Sequence, residues 1–224
     1  MTTLHALYGP RLQAAAAAMG LDISNHQEKA LIDYLGHLQR WNRTYNLTAL
    51  RDPEQMLIQH LFDSLAVVRP IIDLLDKHTV NPVIVDVGSG AGLPGVVLAI
   101  MNSGATLHCV DTVEKKATFI RYVAGALRLA NLHAHHARIE TLPSFGADIV
   151  VSRAFASLSD FVELAASHVH AQGWMLAMKG QEPKDEIAAL HRDTIWRATR
   201  VVSLQVPELD ARRCLVWMTQ EGTV

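Results

Sequence analysis

Asp86, Gly88, Gly90 and Gly92 stand at alternating positions in "DVGSGAGLPG", between two apolar runs. Glycines at that spacing let the backbone approach a ligand closely and adopt left-handed conformations that other residues avoid. Two chemistries fit. Gly90-Ala-Gly92-Leu-Pro-Gly95 is a literal G-x-G-x-x-G, the loop that brings a helix N-terminus to the pyrophosphate of a dinucleotide. Asp86-Val-Gly88-Ser-Gly90-Ala-Gly92 is the acid-then-alternating-glycine turn of an S-adenosylmethionine site. Asp111 closes the next strand-like run, about 20 residues on, where either cofactor calls for a carboxylate to accept from ribose hydroxyls. Asp86 and Pro94 tilt the balance towards S-adenosylmethionine. A carboxylate beside the turn repels a dianion and suits the cationic end of a sulfonium compound. Pro94 withholds an amide that a phosphate would use.

Such a turn needs a strand before it and a helix after it, and the chain supplies both. Residues 1–78 read as a helical N-terminal extension. "YGPRLQAAAAAMG" is alanine-rich and stops at Gly20. "SNHQEKALIDYLGHLQRWN" opens with Ser24 or Asn25 as cap, and its Leu31, Tyr34, Leu35, Leu38 and Trp41 fall on one helical face. "PEQMLIQHLFDSLAVVRPIIDLLDKH" reads as a helix interrupted at Pro70, on which His60 and Asp63 share a face and could bond each other. Residues 79–224 change rhythm: "NPVIVDVG", "ATLHCVDT", "LHAHHARI", "ADIVVSRAF" and "GWMLAMKG" are short apolar runs separated by helical ones. That alternation predicts an α/β, Rossmann-like, mostly parallel doubly wound sheet. "TRVVSLQVP" and "RRCLVWMTQ" add an antiparallel C-terminal edge.

Half of the residues are hydrophobic and 19% are charged, as in an ordinary globular protein. A net charge of −2 excludes coating of nucleic acid by bulk charge and leaves a local basic patch open. Cys109 and Cys214 lie in strand-like runs and read as reduced core residues. No apolar run reaches the roughly 18–20 residues of a membrane helix. The start, "MTTLHALYGPRLQ", lacks the halves of a signal peptide, so a cytoplasmic protein is expected.

With these residues in place, the chain resembles the bacterial glucose-inhibited division protein B family, the small-subunit ribosomal RNA guanine-N7 methyltransferases. The matching stretches are "WNRTYNLTAL", "HLFDSL", "VDVGSGAGLPG", "VDTVEKK", "RIE", "VVSRAFASL" and "AMKG", in that order, from about residue 41 to 180. "HLFDSL" departs from the expected His-Phe-Leu-Asp-Ser-Leu by exchanging two apolar residues. The resemblance implies a class I methyltransferase fold, S-adenosyl-L-methionine as cofactor, and 16S ribosomal RNA or the small ribosomal subunit as partner. A monomer that needs neither membrane nor metal is expected. Gly88 and Leu93 would touch the cofactor, and Ile139 and Glu140 would border its adenine. Arg153 would stand beside the reaction centre, bordering the cofactor and orienting the guanine, with Arg138 as an RNA contact. Asp86, Gly90 and Asp111 complete the cofactor set.

The remaining residues fit that chemistry without fixing it. Methyl transfer to guanine N7 uses a lone pair that carries no proton, so alignment matters more than acid–base help. Accordingly, Ser152, Arg153 and Lys179-Gly180 stand at the strand ends rather than a catalytic triad. Neither cysteine follows a proline, as cytosine C5 methylation would need, and "SRAF" replaces the Asn/Asp-Pro-Pro-aromatic motif of amino-group methylation. Arg153 could fork onto guanine O6 or phosphate, or simply pair with a carboxylate. Phe155 reads as a base-stacking or a core ring. Lys115, Lys116 and Lys179 are candidate RNA contacts or solvated cations, as are Arg40, Arg43 and Arg51 near Trp41 and Tyr45. His133, His135 and His136 lack a nearby carboxylate or cysteine cluster for a metal. A nicotinamide-dependent oxidoreductase and a non-catalytic RNA-binding protein remain the alternative readings.

Overall fold

The computed structural model describes residues 2–75 and 80–222; the expected boundary between residues 78 and 79 lies outside them. Five parallel strands form the sheet's main part: β1 (Val83–Val87), β2 (Thr106–Asp111), β3 (Leu132–His136), β4 (Ala147–Ser152) and β5 (Val169–Lys179). β6 (Trp196–Leu204) and β7 (Arg213–Gln220) are antiparallel, and the strand order is β3-β2-β1-β4-β5-β7-β6. The order reverses direction between β1 and β4. In such sheets, ligands bind outside the carboxyl ends of the strands at that switch. The fold is the expected mostly parallel α/β sheet with an antiparallel edge.

Alternating side chains divide the apolar core between the sheet's two faces. Ile84, Leu107, Cys109, Ile149 and Leu176 share one cluster with α1 (Thr2–Ala18), α2 (Asn25–Tyr45), α6 (Gly95–Met101) and α7 (Glu114–Ala126). Val85, Val110, Val150 and Met175 face α8 (Leu158–Ala165) and α9 (Lys184–Asp193). The N-terminal helices therefore pack into the same core as the sheet. α2 carries a full capping box, Ser24 with Gln27, which contributes roughly 1 kcal/mol. Its fully buried Leu31, Ile32, Tyr34, Leu35 and Leu38 contribute roughly 1.5–3 kcal/mol each. Packing, not capping, holds this helix in place.

Two local expectations need correction, and one helix was missed. α1 begins at Thr2 and runs through Pro10, whose ring lies on the exposed side while Tyr8 and Leu12 keep the buried side continuous. The break in the next helical stretch precedes Pro70. α3 (Pro53–Met56), a π-helical turn (Leu57–Phe62) and α4 (Asp63–Leu65) end at Ala66, and α5 (Val68–Leu74) holds Pro70 in its first turn. A proline there costs no helical hydrogen bond. α9 was not expected from the sequence; among its residues only Leu190 is buried. Both cysteines are free and buried.

Candidate active site

Three residues of the glycine turn lie in the left-handed region: φ is 70° at Gly88, 59° at Gly90 and 95° at Gly92. The amides of Gly88 and Ser89 donate to Val110 O at 2.9 and 3.2 Å, lashing the turn to β2. A Cβ on Gly88 would stand 2.6 Å from Ala154 Cβ, so two strand-end loops meet here at a spacing only glycine permits. Behind the turn, the Tyr34 hydroxyl donates to Ala91 O at 2.9 Å and fixes α2 against it.

The two carboxylates of the motif do different things. Asp111 Oδ2 accepts from Gly90 N and Oδ1 from Val113 N, both at 2.8 Å, leaving a second lone pair on each oxygen. Asp86 is fully buried, and its Oδ2 accepts from Gly95 N at 2.8 Å. Its Oδ1 has no partner. Burial pushes the Asp86 carboxyl up to about 7, against the lowering effect of the Gly95 amide.

That arrangement decides against a pyrophosphate. Around the start of α6, the amide of Gly90 is bonded to Asp111, those of Gly92 and Leu93 to Ser89 O, that of Gly95 to Asp86 and that of Val96 to Gly92 O. Pro94 has none. An anion placed on this turn would meet a buried carboxylate and almost no unspent donors, so the dinucleotide reading fails at the step that defines it.

A cleft of about 310 Å³ opens beyond β1 and β2, walled by Gly88, Asp111, Lys116, Ile139, Phe155 and Leu164. Arg138 and Glu140 stand at its rim, paired to each other. Four expected cofactor residues are absent from its walls. Gly90 lies one layer behind, bonded to Asp111. Asp86 is sealed off by α6, and Leu93 is 2% exposed within the core. Arg153 points elsewhere, for a reason given below. Phe155 is half-buried against Phe161, with ring centroids 5.0 Å apart, and still lines the cleft.

A second cleft, of about 430 Å³, lies on the other side of the loop that follows β4. Ala154 and Phe155 face the first cleft and Arg153 the second. Arg153 Nη1 donates to Asp63 Oδ2 at 3.1 Å, and Arg213 Nε donates to Asp63 Oδ1 at 2.8 Å. Asp63 is 3% exposed; the extra residue of the π-helical turn ends just before it. Asp63 and His60 do not bond each other. His60 Nε2 instead meets Thr48 Oγ1 at 2.9 Å, and burial, then Arg153, pushes its imidazole down to about 4.

Two of the expected RNA contacts are engaged within the chain itself. Lys179 Nζ donates to Phe155 O, Ala156 O and Glu186 at 3.2, 3.3 and 2.8 Å, so its ammonium is spent on the loop between the clefts. Lys115 Nζ donates to Tyr45 O at 2.7 Å, joining α7 to α2. Arg213 was missed by the sequence reading, because only the antiparallel register, which sets Cys214 opposite Lys179, brings it to the active end of the sheet. The histidines of β3 alternate faces: His135 meets His108 Nδ1 at 3.0 Å and His136 meets Thr112 O. Among the described residues, no group of three His, Cys, Asp or Glu could hold a metal ion.

The first cleft fits S-adenosylmethionine. Asp111 offers acceptors for ribose hydroxyls, and Ile139, Phe155 and Leu164 offer apolar walls for an adenine. Residues 27–216 match the family model described as rRNA small subunit methyltransferase G. The chain is 54% identical over 215 residues to the ribosomal RNA small subunit methyltransferase G of Bordetella petrii, covering 96% of this chain and 84% of that one. Identity is also 54% to the protein of the same name from Bordetella avium, covering 96% of this chain and 95% of that one. The crystal structure of a SAM-dependent methyltransferase from Aquifex aeolicus shares the fold, with a TM-score of 0.56 at 17% identity, covering 77% of this chain and 96% of that one.

Proposed function

The chain belongs to the rRNA small subunit methyltransferase G family, and from that premise we infer that it methylates N7 of a guanine in 16S ribosomal RNA. It is an S-adenosylmethionine-dependent rRNA methyltransferase, with a Rossmann-like fold. The observation that carries the finer reading is the shared wall. Residues 153–155 separate a cofactor cleft from a second, cationic one, so two bound molecules would meet across a single loop.

When bound, the cofactor supplies a sulfonium methyl group, whose carbon passes to N7 as its bond to sulfur breaks and the charge moves to the purine. The chain's own part is to bind, orient and dry the reactants. Asp111 would hold the cofactor's ribose, with Lys116 Nζ 3.7 Å away, and Ile139 and Phe155 would clasp its adenine. Asp63 fixes the Arg153 guanidinium, whose remaining N–H groups are offered to guanine O6 or a flanking phosphate. The second cleft favours a nucleophile that needs no base. Asp63 is occupied by two arginines, and His60, pushed down to about 4 by burial and bonded through Nε2 to Thr48, is a weak base. We divide the chain into a helical N-terminal extension, residues 1–78, and the methyltransferase domain, residues 79–224. The rRNA substrate puts the reaction in the cytoplasm, and we take the working unit to be a monomer that needs no metal. Among the described residues, no helix is long and apolar enough to cross a membrane.

Incubation with tritiated cofactor and unmodified 16S rRNA, then digestion to nucleosides, tests this reading. The label is expected in N7-methylguanosine. Label in an amino-methylated base, in a ribose or in no nucleoside overturns it.

A further inference from the structure

The α2–α7 surface carries a feature that the two clefts do not use. Trp41 lies with its ring centroid 5.0 Å from both Tyr45 and Tyr122, and His37 meets Tyr122 edge-on at 5.2 Å. Tyr45 is 46% exposed and Tyr122 37% exposed. Large aromatic rings left this open in a well-packed protein offer π-faces to a partner.

The charge around these rings is one-sided. Residues 34–51 contain Arg40, Arg43 and Arg51 and no carboxylate; residues 115–130 contain Lys115, Lys116, Arg121 and Arg128 and again none. Arg40, Arg43 and Arg121 are exposed and form no ion pair among the described residues. Asp33, earlier on α2, is buried and paired with Lys29 and His5, and Glu114 stands at the start of α7. A protein with a net charge of −2 thus concentrates unneutralised arginine around a cluster of aromatic rings.

The surface also leads to the active site. Lys115 ties the end of α2 to α7 through Tyr45 O. From there, residues 46–51 run to the second cleft, pinned by Asn42 to Thr48 N and Leu50 O, and by Thr48 to His60. Leu50 and His60 line that cleft.

We propose that Trp41, Tyr45 and Tyr122, flanked by Arg40, Arg43 and Arg121, form a stacking platform for a single-stranded RNA segment adjoining the methylated nucleotide. The inference rests on the rRNA methyltransferase reading and deepens it. Bases stack on the aromatic faces, while the arginines follow the phosphates, a pairing of contacts that tolerates any sequence. Specificity is then left to the second cleft.

The test uses the full-length chain and an unmodified 16S rRNA transcript, measuring steady-state methyl transfer and, separately, retention of the transcript on a filter. Tyr122→Ala is expected to raise both the KM for RNA and the dissociation constant roughly tenfold, within the range for loss of one stacking face. Tyr122→Phe keeps the ring, loses the bond to His37 and is expected to behave as wild type. Arg40→Gln with Arg121→Gln is expected to flatten the slope of log affinity against log salt by about 1.4, two single-strand phosphate contacts. The kcat and the affinity for S-adenosylmethionine should hold in all three variants, showing that they fold. RNA binding and KM within twofold of wild type would overturn the platform. Defects seen on assembled small subunits but not on the transcript would assign the surface to a ribosomal protein and overturn it too. A wild-type chain that binds the transcript yet labels no rRNA would overturn the enzymatic reading alone.

Discussion

Arg213 donates from Nε to Oδ1 of Asp63 at 2.8 Å, across 150 positions of chain, while Arg153 holds the other oxygen of the same carboxylate. One buried anion thus sets the direction of two guanidiniums in the second cleft. Both arginines are about a quarter exposed, so the pairing costs less desolvation than a fully interior one and leaves donors free for a substrate.

Asp63→Asn should therefore act on turnover more than on folding. Removing one partner from a fully buried pair costs roughly 3–5 kcal/mol; here water reaches the arginines and the loss of stability should fall below that range. We expect kcat to drop about 10- to 100-fold with unchanged affinity for S-adenosylmethionine, measured by methyl transfer and calorimetry. Turnover within twofold of wild type would rule out a positioning role.

Gly88 and Gly90 share a left-handed backbone but not a neighbourhood. A Cβ at Gly88 would meet Ala154 at 2.6 Å, whereas one at Gly90 would meet nothing within 4 Å. Gly88→Ala should thus combine backbone strain of about 1–3 kcal/mol with displacement of the loop between the clefts, and Gly90→Ala should suffer the strain alone. Cofactor affinity is expected to fall at least tenfold further in Gly88→Ala than in Gly90→Ala. Equal losses in a titration of the two variants would mean that the close approach does not shape the cleft.

Much of this site could be read from residues that are neighbours in sequence. The glycine turn, Asp111 and the Ser24–Gln27 cap are local patterns, and each was legible for that reason. What escaped depends on contacts between distant segments. α9 shows only Ile187 and Leu190 as large apolar markers, too sparse for a helical face. Missing α9 meant missing Glu186, and without Glu186 nothing in the sequence turns Lys179 inward. Arg213 likewise depends on the direction of β7, and the Asp63 side chain on the π-helical turn before it. The burial of Leu93 follows from α6 closing over it, which the loop pattern alone does not reveal.

Asp86 makes stability depend on pH in a direction opposite to an ordinary ion-paired carboxylate. Its carboxyl stands near 7 in the folded chain, above the ordinary 3.8, chiefly through burial. Between these values, the native state keeps a proton that the unfolded chain has released, so stability falls as pH rises through that window and levels off above it. Asp86→Asn keeps an acceptor for Gly95 N and has nothing to titrate. Without cofactor, the Tm of the variant relative to wild type should climb from about pH 4 to about pH 7 and then flatten. A constant difference across this range would show that Asp86 is charged throughout.

Lys179 separates two explanations of one cation. An RNA contact would neutralise a phosphate, and its removal would weaken RNA binding and lower the salt slope by roughly 0.7–0.9. The geometry instead spends the ammonium on Phe155 O, Ala156 O and Glu186, with 14% of the side chain exposed. Lys179→Met retains the stem and removes the charge, leaving two carbonyls and a carboxylate without their donor. The loop carrying Arg153 and Phe155 should then lose its fixed position. That predicts a lower kcat, about tenfold, and weaker cofactor binding, with the RNA salt slope unchanged. A flattened slope with normal kcat would return Lys179 to the RNA surface.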